Sequence, residues 1–266
     1  MREKIVMIES KWLKGQNSNN LTVQLDEPLV NVSGVKIIYA GLPCTFHNIS
    51  TERGNNRFIV RRQLSDKVWG NYNVILPDGY YTIKTFIEEF RTQMQIMELG
   101  RTSLLFSLNE SNGKLTINFK KRDKLRYGFT VMPENNDLLG FNVREGDFLD
   151  LPRRLRNKQG VITDEDTSMG DKAVNFRPFD YFHVHCDIIG QDDVLYNSSR
   201  SDLLVRIPLK DCDFGSRLIH YLTGLRERPC SASFNKFRIN ITDEYNRPVE
   251  FNGGDVQLEL LFLINE

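Results

Sequence analysis

One segment near the end of the chain, Val256-Gln-Leu-Glu-Leu-Leu-Phe-Leu-Ile264, restricts the possible folds more than any other. Side chains alternate across an extended strand, so Val256, Leu258, Leu260, Phe262 and Ile264 fall on one side. Gln257, Glu259, Leu261 and Leu263 fall on the other, which begins polar and ends apolar. A strand that is apolar on both sides has to be covered twice, by its own fold or by a neighbouring subunit. Leu261 and Leu263, on the second side, are the expected subunit-contact residues.

Composition narrows the function classes. The 266 residues are 40% hydrophobic and 26% charged, ordinary for a globular chain long enough to bury a core without metals or disulfides. Lys plus Arg and Asp plus Glu number 35 each, so no overall field draws the chain to nucleic acid or anionic lipid. Specific nucleic-acid binding is not expected, and the basic runs Lys120 to Arg126 and Arg153 to Arg156 read as solvated loop surface. The apolar stretch Ile5 to Ile8 is too short for a signal peptide, and no run approaches membrane-spanning length. The expectation is a chain made and assembled inside a cell, without secretion or membrane insertion. Cys44, Cys186, Cys212 and Cys230 form no C-x-x-C pair, and reduced thiols are expected.

Pattern divides the chain into three zones. Up to about residue 72, strands are predicted over Ile5 to Trp12, Leu21 to Leu25, Val35 to Leu42 and Arg57 to Arg62. The period then changes. Ile83, Phe86, Ile87, Phe90, Met94 and Met97 recur at helical spacing, with Thr82 as N-cap and Gly100 as the stop. Strands follow over Ser103 to Asn109, Lys114 to Phe119 and Tyr127 to Val131, the first two joined at Asn112-Gly113, and Asp137 to Phe141 forms a helical turn. Residues 142–175 lose all periodicity and read as an extended arm. From residue 176, alternation returns over Tyr181 to Ile188, Leu203 to Leu209, Phe237 to Ile241 and Val256 to Ile264, with a long loop from Asp211 to Ser233.

About eight strands in the outer zones predict a mainly β fold, a single jelly-roll β-sandwich of residues 1–72 and 176–266. Residues 73–141 form an inserted α+β module containing one amphipathic helix, and 142–175 the arm.

Chemistry is sparse. His183-x-His185 places two imidazoles on one strand face with Asp187 extending the row, a geometry open to a metal, to a pH-sensitive contact or to an ordinary polar face. Cys186 reads as a core residue on the inward face. Glu88-Glu89 and Asp164-Glu-Asp166 read as solvated carboxylates. No nucleophile elbow, P-loop or dinucleotide fingerprint occurs, so no catalytic, cofactor or metal site is expected. Trp12, Trp69, Tyr72, Tyr80 and Tyr81 supply a candidate sugar-stacking platform.

Several segments in order carry a family likeness. Leu76-Pro-Asp-Gly-Tyr-Tyr-Thr-Ile83 entering a helix, Phe106-Ser-Leu-Asn-Glu-Ser-Asn-Gly-Lys-Leu-Thr-Ile117 and Leu138-Leu-Gly-Phe141 together resemble a module of the minor capsid proteins of Polinton-type elements, adintoviruses and virophage-like viruses. Phe176 to Ile188, Ser201 to Arg206 and Ile239 to Asn252 resemble that family's C-terminal strands. The resemblance implies a non-enzymatic virion protein with a single jelly roll. It would form homopentamers at the fivefold vertices of an icosahedral shell, beside a larger double jelly-roll major capsid protein, with a host receptor as a further partner. Two other readings compete: a β-sandwich binding module recognising glycans or a host surface through Tyr80 and Trp69, and a metal-dependent enzyme centred on His183 and His185.

Overall fold

The computed structural model describes residues 1–65, 68–97, 99, 104–119, 127–131, 135–141, 149–151, 153–156, 162–165, 167–189, 195–196, 199–200, 202–210, 212–222, 224 and 227–265. The expected basic run Lys120 to Arg126, the helix stop Gly100 and the acidic Asp166 lie outside them. In chain order the first half contains β1 (Arg2–Glu9), β2 (Asn20–Pro43), β3 (Arg57–Ser65), β4 (Val68–Ile75), α1 (Ile83–Ile96), β5 (Leu104–Asn109), β6 (Lys114–Phe119), β7 (Tyr127–Val131) and α2 (Asn136–Leu139). Then come β8 (Leu149–Leu151), β9 (Arg153–Arg156), β10 (Ile162–Glu165), β11 (Thr167–Met169), β12 (Tyr181–Cys186), β13 (Leu195–Tyr196) and β14 (Ser199–Arg200). β15 (Leu203–Pro208), β16 (Arg217–Tyr221), β17 (Arg228–Thr242) and β18 (Gln257–Ile264) complete the chain.

The chain divides into two compact units, residues 1–46 with 179–266 and residues 47–178. The first is a curled antiparallel sheet in the order β1-β18-β2-β17-β12-β15, with β16 also paired to β2. Its spine is β2. The two strands predicted at Leu21 to Leu25 and Val35 to Leu42 are one strand of 24 residues. Pro28 and Asn31 lie inside this strand and do not end it. Asn31 has a φ of 56°, and the pairing of β17 with β2 shifts register three times between Pro229 and Lys236. Each shift adds bend and twist. The strand thereby pairs with β17 along its first part, with β18 from Val32 to Gly41 and with β16 from Tyr39 to Pro43. Leu21, Val35, Ile37, Phe182, Val184, Phe237, Ile239, Ile241, Leu258, Leu260 and Phe262 are buried as the core. This is the expected mainly β, jelly-roll class.

Two local expectations fail in this unit. The loop predicted from Asp211 to Ser233 contains β16 and the start of β17. Its alternation is short and flanked by charges, so it escaped notice. Cys44 and Cys212, expected as free thiols, form a disulfide across a separation of 168 residues, while Cys186 and Cys230 are free and buried. The bond joins the end of β2 to the approach of β16, where Cys44 N–H donates to the Ser216 carbonyl and Gly215 N–H to that of Cys44.

The second unit begins earlier than the residue 73 expected from the change of period. β3 and β4 belong to it, because β3 pairs with β7 and the four-stranded sheet runs β4-β3-β7-β8. A three-stranded sheet runs β11-β6-β5. The expected arm at 142–175 supplies β8 and β11 to these sheets, and β9 pairs with β10, so pairing across the unit orders segments that lack local periodicity. Helix α1 closes the core. Thr82 caps it in a capping box with Thr85, and Phe86, Phe90 and Met94 point inward. Phe58, Phe86, Phe90, Phe106 and Phe129 then pack largely edge to face, with centroids 4.9 Å apart for Phe90 and Phe106.

The helical turn α2 buries Leu138, Leu139 and Phe141, and Gly140 between them adopts a φ of 73°. A Cβ at Gly140 would stand 2.2 Å from the Lys172 carbonyl oxygen. Gly140→Ala is therefore expected to destabilise this unit by more than about 2 kcal/mol in urea unfolding, from left-handed strain plus backbone collision. Reducing Cys44–Cys212 is expected to lower stability by about 2–5 kcal/mol. A Cys212→Ser variant should melt at the same temperature with and without reductant, whereas the parent should shift downward on reduction.

Candidate functional site

The double-sided strand β18 is covered by its own chain on both faces. Leu258, Leu260 and Phe262 are buried in the jelly-roll core, while Leu261 and Leu263 on the opposite face are only 7% and 4% exposed. The residues expected to meet a neighbour are thus already enclosed. Leu261 lies in a ladder row between Ile5 of β1 and Lys36 of β2. Leu263 occupies the space left open by Gly34, where a Cβ would stand 3.6 Å from Leu263 Cδ1 and 3.5 Å from Glu227 Cβ. Glu227 is held there by its ion pair with Lys36 at 3.5 Å.

Other residues of the same face stay open. Antiparallel pairing sets Met7, Glu259, Tyr39 and Tyr221 in one row across β1, β18, β2 and β16, and Glu9, Gln257, Gly41 and Ile219 in the next. Residues paired across a ladder share a face. Ile5 is 51% exposed, Met7 73%, Ile219 52% and Tyr221 75%. Tyr39 and Tyr221 pack with ring centroids 5.4 Å apart. The Tyr39 hydroxyl, an Arg217 guanidinium nitrogen and the Gln257 amide oxygen converge over Gly41, within 2.9–3.4 Å of where a Cβ would stand. At the end of β1, Trp12 Nε1–H donates to Glu9 at 3.1 Å, and Lys11 makes an ion pair with the same carboxylate at 2.6 Å. Sequence periodicity had no access to this grouping, because β16 was not recognised as a strand and the rows depend on pairing between distant segments.

The histidine row is tied into a hydrogen-bond network. His185 Nδ1 lies 2.8 Å from Asp202 Oδ1, and Nε2 lies 3.1 Å from Thr242 Oγ1. The Thr242 hydroxyl itself donates to the Asp243 carbonyl, so both ring nitrogens of His185 are engaged by side chains. Asp187 does not extend the set, because its carboxylate accepts the Arg238 N–H at 2.8 Å. Among the described residues no group of three or more His, Cys, Asp or Glu is placed to hold a metal ion. The hydrogen bond from His185 holds the Asp202 carboxyl below its ordinary range. His183, expected to point outward, is fully buried. Burial first, then the positive charges of Arg206 and His185, lower its pKa from 6.5, with Asp243 opposing. Asp243 is itself buried and paired with Arg247 at 2.8 Å. Burial pushes the Cys186 thiol up strongly and Cys230 to about 11, which leaves both poor nucleophiles.

The residues of the expected aromatic platform are divided between the two units. Trp12 belongs to the first unit and Trp69, Tyr72, Tyr80 and Tyr81 to the second. Tyr81 is buried, its hydroxyl donates to the Pro77 carbonyl, and its pKa is raised to about 12 by burial. Trp69 is covered by the Arg61 guanidinium at 4.6 Å from the ring centroid.

No protein-family model matches the chain, and no curated protein matches it. Among solved structures, the crystal structure of a mavirus penton protein superposes with a TM-score of 0.56 over 98% of this chain and 99% of that one, at 12% identity. The chain shares the fold of that protein. The likeness is to a virophage protein, and kinship with Polinton elements or adintoviruses rests on the motif resemblance alone.

The His183 environment gives a pH test. Its depressed pKa means that the unfolded chain takes up a proton near 6.5 that the folded state resists, so stability present at neutral pH is lost as pH falls through that value. Thermal melts should move downward between about pH 7 and pH 5, and His183→Gln should flatten that slope even though it lowers stability at neutral pH.

Proposed function

We propose that this chain is a structural virion protein of the penton type, forming homopentamers at the fivefold vertices of an icosahedral capsid. The single observation that carries the reading is the end-to-end likeness to a penton protein, which takes in the inserted unit as well as the jelly roll. The motif order supports it further. Leu138, Leu139 and Phe141 are core residues and Gly140 occupies a position closed to any other residue, so the segment behind the family resemblance is structurally required.

In this reading the chain works by shape and association and catalyses nothing. Its partners are other copies of itself and a double jelly-roll major capsid protein, with a host receptor as a further partner, and it resides in the virion after assembly inside the host cell. The family is that of virophage-like, Polinton and adintovirus minor capsid proteins. A closed ring of identical copies uses a head-to-tail interface, so two different parts of each subunit have to be complementary.

Light scattering on purified protein at micromolar concentration should give five times the 30.9 kDa of one chain, and negative-stain micrographs should show fivefold rings. A protein that stays monomeric throughout that range overturns the proposal.

A further inference from the structure

We infer that the Cys44–Cys212 disulfide is a redox latch on β16. Closed, it keeps this strand on the edge of β2; opened by a thiol reductant, it frees residues 213–222 while the rest of the jelly roll stays folded. The two sulfurs sit in unlike surroundings. Cys44 is fully buried at the end of β2, on a backbone fixed from several sides. Asn252 Nδ2–H donates to the Thr45 carbonyl at 2.7 Å, and the Thr45 hydroxyl donates to the Phe251 carbonyl. The Phe46 ring packs 5.1 Å from Phe179 and 5.8 Å from Phe182. Cys212 is half-buried and leads into a segment with far less beneath it.

From Asp213 to Leu222, Leu218 is buried, His220 and Leu222 are half-buried and the other residues are exposed. Among the described residues β16 has β2 as its one ladder neighbour, through the pairs from Arg217 with Pro43 to Tyr221 with Tyr39. Further ties are the bonds of Cys44 to Gly215 and Ser216, the Leu222 N–H to the Ile38 carbonyl, the contact of the Tyr39 and Tyr221 rings, and the charge of Arg217 near Glu9. A short edge strand with so little apolar burial opens locally far more readily than the central strands. The covalent bond holds it in place, and the 168 residues that separate the two cysteines supply no local tether once it is cut. Both ends of the segment stay anchored, because Leu209 is buried with its N–H on the Asp180 carbonyl and Arg228 is in register with Val35. Opening therefore yields a tethered loop and not an unfolded unit. It uncovers the β2 edge from Tyr39 to Pro43 and takes Ile219 and Tyr221 off the open face.

The exchange is a two-electron step. A thiolate of a dithiol or of glutathione attacks Cys212 Sγ, the more exposed sulfur, and the S–S bond breaks with its electron pair on Cys44 Sγ, which takes up a proton. A second thiolate displaces Cys212 from the mixed disulfide, the reductant leaves as its own disulfide, and Cys212 Sγ is protonated in turn. Oxidised glutathione runs the same steps backwards. Cys186 and Cys230 are buried and stand outside this exchange. On the virion reading the chain meets both conditions, thiols inside a host cell and an oxidising medium outside it, but the latch itself stands without that reading.

Hydrogen–deuterium exchange on the oxidised chain, with and without dithiothreitol and well below the melting temperature, tests the latch. Reduction should speed amide exchange over residues 217–222 at least tenfold and leave β12 and β18 unchanged. Cys212→Ser should show the fast exchange without reductant. With reduced glutathione, peptide mass should place the mixed disulfide on Cys212 and not on Cys44. Exchange over 217–222 that ignores reduction, exchange that rises equally through β12 and β18, or glutathione carried by Cys44 overturns the inference. None of these outcomes depends on the oligomeric state by which the shell-protein reading is judged.

Discussion

Pairing of β2 along both of its edges is the interaction on which the jelly-roll unit depends. A strand of 24 residues exposes a long row of amide and carbonyl groups, and each one buried without a partner would cost on the order of 1–3 kcal/mol. β18 pairs with one edge from Val32 to Gly41, while β17 and β16 share the other. The register shifts that let a single strand serve three partners also curl the sheet, and the curl brings the apolar rows of β2, β17 and β18 together as a core. The disulfide from Cys44 to Cys212 holds the end of this arrangement, where β16 begins.

That closure decides which surface remains for other molecules. Because the chain encloses both faces of β18, Leu261 and Leu263 stabilise the monomer, and the open apolar side chains are found one strand away on β1 and two strands away on β16. The same physical demand, covering a strand that is apolar on two sides, is met internally. What is left over is a flatter and more mixed surface of apolar, aromatic and charged residues, the composition that interfaces between separately folded subunits favour over a greasy core. The histidine network on β12 works inward: it ties Asp202, β12 and β17 together through hydrogen bonds.

Much of the fold was legible because alternation and helical period are local. The helix from Thr82, the hairpin at Asn112-Gly113, the turn at Leu138 to Phe141 and the strands at Tyr127, Tyr181 and Leu203 follow from spacing alone. Failures clustered where partners far apart in sequence set the outcome. Asn31 takes a left-handed φ within β2, and the pairing with β17 shifts register around it without ending the strand. β8 and β11 have no recognisable period and are ordered by β7 and β6, and the break between units falls at Phe46 because β3 finds its partner in β7.

By itself the sequence determined the elements: which side chains alternate, where the helix is capped, that the terminal strand must be covered twice, and that no catalytic motif is present. Only the tertiary structure decided how those demands were met, namely that one strand joins three others, that Cys44 reaches Cys212, that His183 is buried, and that the open face lies on β1 and β16. The reason is physical. Local propensity acts within a few residues, whereas register, burial and cross-linking are properties of pairs, and in this chain the deciding pairs are up to about 260 residues apart.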